Sequence, residues 1–125
     1  MARILVIEDD DQVRDMLQET LEDAGYEVVV ASDGADGITH FREKRADLVI
    51  TDILMPIVNG VEAIRELRKD VPDLKIIAIT GVRGHFSRLP AASYLGAQRT
   101  FTKPFSLHDI LDAVRELLGG DCPSR

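Results

Sequence analysis

A chain of 125 residues, 45% apolar and 30% charged, has material for one hydrophobic core and little for a second. Its 22 acidic against 15 basic residues leave a net charge of −7, which argues against direct binding to nucleic acid or an anionic membrane, since either wants a basic face. Apolar runs such as Ile4 to Ile7 stop well short of the roughly 18–20 residues of a membrane span, no leader pattern opens the chain, and the single cysteine, Cys122, forms no intrachain disulfide, so a reducing, cytoplasmic setting is expected.

The first predicted element is a strand over Arg3 to Ile7. A helix follows, with Val13, Met16, Leu17, Thr20, Leu21 and Ala24 on one face and Gly25 as its C-terminal stop. Asp10 and Asp11 begin and cap this helix. A second strand is predicted from Tyr26 to Ala31. The second helix is capped by Asp33 and shows Ala35, Ile38 and Phe41 to the core. Asp47 to Thr51 reads as the third strand. Asn59 and Glu62 form a capping box for a third helix with Ile64, Leu67 and Val71 on one side.

Lys75 to Thr80 is the fourth strand. Gly81, Gly84 and Pro90 then break the pattern, which predicts a long loop and a short helix starting near Leu89 or Pro90. Arg99 to Thr102 is the fifth strand. A last helix, opened by Ser106 and Asp109, buries Leu107, Ile110, Leu111, Val114 and Leu118. Residues 1–119 are expected to form one domain and 120–125 a flexible tail. The first, third and fourth strands are almost unbroken Ile, Leu and Val, as strands are when both faces are covered. Strand and helix alternate along the chain, which implies an α/β sandwich on a parallel sheet.

Such sheets place ligands at the carboxyl ends of their strands. There this sequence puts Glu8-Asp9-Asp10-Asp11, Asp52, Thr80 and Lys103. Carboxylates crowded in one crevice repel each other, and a bound divalent cation relieves that. Hard oxygen donors without His or Cys suit Mg²⁺. Thr80 and Lys103 then supply a hydroxyl and an ammonium for phosphoryl oxygens, and Asp52 is the candidate nucleophile, a carboxylate able to form an acyl phosphate.

Four motifs in order carry a family resemblance: Ile4-Leu5-Val6-Ile7-Glu8-Asp9-Asp10, Thr51-Asp52-Ile53-Leu54-Met55-Pro56 with Asn59-Gly60, Ile79-Thr80-Gly81, and Thr102-Lys103-Pro104-Phe105. From Arg3 to about Leu118 the chain resembles the receiver domains of response regulators. The resemblance implies a flavodoxin-like (βα)5 three-layer sandwich with a five-stranded parallel sheet of order 2-1-3-4-5. It implies a phosphoacceptor role for Asp52 in two-component signalling. Asp9, Asp52 and the carbonyl of Leu54 would bind Mg²⁺ directly, and Glu8 through water. Thr80 and Lys103 would contact the phosphoryl group. A sensor histidine kinase or a histidine phosphotransfer protein would be the donor, and a downstream protein the target. No external substrate is turned over on this reading, only self-phosphorylation and autodephosphorylation.

Other aspartyl-phosphate chemistry, that of haloacid-dehalogenase-type phosphotransferases and phosphatases, wants a second acid two residues after the nucleophile, where Leu54 stands. A flavin-binding redox protein wants a phosphate loop in place of the acidic run at Glu8 to Asp11. A phosphorylation-independent interaction module is the remaining alternative. One departure from the family pattern is Thr100, where an aromatic residue is common. A small β-branched side chain cannot fill an aromatic pocket, so the mobile read-out is expected in the loop from Gly81 to Pro90.

Overall fold

The computed structural model describes residues 2–53, 60–80, 97–102 and 104–118, with the side chains of residues 60, 61 and 80 left aside. Among them are five strands and four helices. In chain order these are β1 (Arg3–Ile7), α1 (Asp11–Asp23), β2 (Glu27–Ala31), α2 (Gly34–Glu43), β3 (Leu48–Asp52), α3 (Gly60–Asp70), β4 (Lys75–Thr80), β5 (Arg99–Thr102) and α4 (Leu107–Leu117). All neighbouring strands pair parallel, in the order β2-β1-β3-β4-β5.

Alternation along the strands divides the core in two. Leu5, Ile7, Val49, Ile76 and Ala78 pack with Phe41, Ile64 and Leu67 of α2 and α3. Ile4, Val6, Leu48, Ile50, Ile77 and Ile79 pack with Leu17 and Leu21 of α1 and with Ile110, Ala113 and Val114 of α4. Each such Leu, Ile or Val contributes about 1.5–3 kcal/mol by leaving water. The sheet is thus covered on both faces, as its apolar strands require, and the three-layer sandwich is the expected one.

The caps follow the sequence closely. Asp10 accepts from the N–H groups of Gln12 and Val13, Asp33 from that of Asp36, and Ser106 from that of Asp109. Gly25 has φ 100°, the left-handed conformation that ends a helix at low cost only in glycine. Its neighbour Tyr26 donates its N–H back to the Leu21 carbonyl at 3.1 Å, so β2 begins one residue later than expected. The third strand also lies one residue further on, at Leu48–Asp52 rather than Asp47 to Thr51.

Two side chains differ from the helical stripes expected. Met16 is 46% exposed, since the buried face of α1 centres on Leu17 and Leu21. Ala35 is exposed, and α2 buries Gly34, Gly37 and Phe41 instead. Glycines carry no apolar side chain to register, so the face that approaches the sheet most closely is the one a hydrophobic pattern misses. The cap at Asn59, the helix expected near Leu89 or Pro90 and the tail 120–125 lie outside the described residues.

Candidate functional site

Glu8 follows directly on β1, and its N–H continues the ladder to the Ala31 carbonyl of β2 at 3.0 Å. The side chain is almost fully buried, at 1% exposure. Its Oε2 accepts the backbone N–H of Asp10 at 3.0 Å. Asp9, the next residue, is exposed. Asp52 closes β3 and is 3% exposed. Around it, Thr51 Oγ1 donates to the Asp52 carbonyl at 3.0 Å, and the Ile53 N–H donates to the Ile79 carbonyl at 2.8 Å.

The three carboxylates meet where β1 and β3 lie side by side. Glu8, Asp9 and Asp52 each offer an oxygen, and these oxygens lie within 4.8 Å of one another. Three hard donors, two of them held in the protein interior, fit a small divalent cation such as Mg²⁺, which takes few protein carboxylates and keeps several waters. Asp10 stands apart, with its carboxylate committed to the N-terminus of α1 at 2.9 Å from Gln12 N and 3.2 Å from Val13 N.

Asp52 is the register partner of Ile79, so Thr80 stands one residue beyond it along β4. Thr80 in turn pairs with Thr102, the residue before Lys103. The main chain of β4 and β5 thus ends at the same sheet edge as the carboxylates. The Thr80 side chain, the Leu54 carbonyl and Lys103 fall outside the described residues. Thr100 pairs with Ala78 inside β5 and is half-buried.

One residue beside the site was not singled out in the sequence. Arg14, on α1, donates from one guanidinium nitrogen to the Glu8 carbonyl at 2.9 Å and from the other to Asp11. The available signal was a lone arginine three residues after Asp11, at helical spacing beside an acidic run.

The model for the response regulator receiver domain matches residues 4–115. The chain belongs to that family. Among curated relatives, the response regulator MprA of Mycobacterium sp. (strain KMS) is 37% identical over 122 residues, covering 98% of this chain and 53% of that protein. The chain therefore spans about half the length of the curated relatives it matches. A receiver domain protein from Clostridium thermocellum superposes with a TM-score of 0.88 at 32% identity, covering 95% of both chains. The CheY-like receiver domain protein from Methanospirillum hungatei JF-1 gives 0.89 at 28% identity, covering 95% of this chain and 94% of that one. The chain is thus a receiver domain of the two-component response-regulator kind, with their fold. Among its described residues no helix is long and apolar enough to cross a membrane.

Proposed function

We propose that this receiver domain accepts a phosphoryl group on Asp52 from the phosphohistidine of a sensor histidine kinase or a histidine phosphotransfer protein. The observation that supports it best is the buried Asp52 carboxylate, set beside Glu8 and Asp9 with donor oxygens within 4.8 Å. In the transfer an Asp52 Oδ forms a bond to phosphorus, the phosphorus–nitrogen bond breaks, and the imidazole nitrogen keeps the electron pair. Lys103 and Thr80 hold the peripheral phosphoryl oxygens as a cation and a hydroxyl donor. Asp9, Asp52 and the Leu54 carbonyl are the residues that would hold Mg²⁺, with Glu8 acting through water. When bound, the ion offsets negative charge at the carboxylates and on the phosphoryl oxygens.

Hydrolysis reverses the modification, with water adding to phosphorus and Asp52 leaving as a carboxylate. No external substrate is turned over. The added charge favours an alternative conformation and so changes contacts with a downstream protein. The net charge of −7 supports a protein target rather than nucleic acid. On this reading the exchange takes place in the cytoplasm.

The test is incubation with acetyl phosphate and Mg²⁺, followed by intact mass measurement and acid–base lability of the adduct. One phosphoryl group is expected on the native chain and none on Asp52→Asn. An equally labelled variant would move the acceptor elsewhere.

A further inference from the structure

We infer that Arg14 is a positioning residue for the cation site, fixing the backbone that aims Asp9. This rests on the reading of Glu8, Asp9 and Asp52 as a divalent-cation site.

Two peptide planes flank the Cα of Asp9, and each is planar and rigid. The first contains the Glu8 carbonyl and the second the Asp10 N–H. Arg14 donates to the Glu8 carbonyl at 2.9 Å. Glu8 Oε2 accepts the Asp10 N–H at 3.0 Å. With both planes held, the two backbone dihedrals of Asp9 are set, and the direction of its Cα–Cβ bond with them. An exposed aspartate is thereby pre-aimed through its backbone.

Arg14 is itself well anchored. Its N–H bonds the Asp10 carbonyl at 2.9 Å, its side chain is only 18% exposed, and its second guanidinium nitrogen holds Asp11. The rigid fork of arginine lets one side chain make both bonds at once, which a lysine cannot reproduce. Mg²⁺ demands near-ideal octahedral geometry, so an anchor one step behind a ligand matters for its affinity. Loss of such outer partners commonly weakens metal binding by about 10–100-fold.

Charge and position predict opposite signs. As a bare cation near the carboxylates, Arg14 repels Mg²⁺, and its removal would tighten binding. As an anchor, its removal weakens binding. The double variant Asp11→Asn with Arg14→Met removes one negative and one positive charge, so the net charge is unchanged and position alone is read.

The experiment titrates Mg²⁺ alone, followed through backbone amide shifts, against the native chain, this double variant, Arg14→Lys and Asp9→Ala. All are compared well below their unfolding midpoints. Roughly tenfold weaker binding is expected for the double variant, an intermediate loss for Arg14→Lys, and abolished binding for Asp9→Ala. Equal or tighter binding by the double variant overturns the role of Arg14. Should that variant not fold, native affinity in Arg14→Lys overturns it instead. A native chain that binds no Mg²⁺ removes the site reading itself, and this inference with it.

Discussion

Gly37 of α2 lies so close to Ile7 of β1 that a Cβ added there would stand 2.7 Å from the Ile7 Cγ1. Ile7 is fully buried and immediately precedes Glu8, so it has little room to move aside. Alanine at 37 would gain about 1 kcal/mol of helix propensity and lose about 1–3 kcal/mol to overpacking. Gly37→Ala is therefore expected to destabilise by a net of about 1 kcal/mol in urea denaturation. Ile7→Val removes the nearest Ile7 atom, Cδ1, and should recover part of the loss in the double variant. A Gly37→Ala protein as stable as the native one would show that α2 can shift freely.

The same contact explains what the sequence did and did not disclose. β1, β3 and β4 were legible because both of their faces are apolar, and the caps at Asp10, Asp33 and Ser106 because a side chain with one short task leaves a local signature. On α2, Ile38 and Phe41 pack into the core as expected and Ala35 does not, because the close approach to the sheet is made by Gly37, which has no side chain to pattern. Of the site, Glu8, Asp9 and Asp52 were legible from strand ends alone. Arg14 was not, because its bond to the Glu8 carbonyl depends on how the turn between β1 and α1 folds back.

Asp10 and Asp9 are adjacent acids with separate tasks, and substitution should separate them. Asp10→Ala removes the cap of α1 and is expected to lower stability by about 1 kcal/mol. It leaves the Asp10 N–H that Glu8 accepts, so labelling by acetyl phosphate should persist. Asp9→Ala should instead leave stability within about 0.5 kcal/mol and abolish Mg²⁺-dependent labelling. Loss of labelling in both variants would merge the two roles.

Acid should weaken two surface ion pairs. Arg42 Nε donates to Asp70 at 2.9 Å, and this bond holds the Asp70 carboxyl below its usual range. Arg3 forks onto both oxygens of Glu27 at 3.1 and 3.2 Å and lowers its pKa likewise. A carboxyl whose pKa is lower folded than unfolded adds stability above the ordinary carboxylate range. That contribution is lost as pH falls through the lowered folded value. Urea midpoints should therefore drop on acidification from about pH 6 to pH 3, and Arg42→Met or Arg3→Met should flatten the slope. Because both acids are only half-buried and reach solvent, high salt should flatten it too. A slope untouched by either substitution would place the acid-sensitive groups elsewhere.

Glu8, Asp9 and Asp52 bring three carboxylates into one crevice, where like charges raise each other's energy. Two measurements follow from that. Mg²⁺ should raise the unfolding midpoint of the native chain, adding about 1.4 kcal/mol of stability at ten times its dissociation constant. Asp52→Asn removes one of the three charges, so the metal-free variant is expected to be more stable than the native chain by about 0.5–2 kcal/mol and to lose most of the Mg²⁺ response. The two effects have opposite signs in the same variant, which general loosening of the fold cannot imitate. An Asp52→Asn chain less stable than the native one without Mg²⁺ would show that the contacts of Asp52 outweigh its repulsion by Glu8 and Asp9.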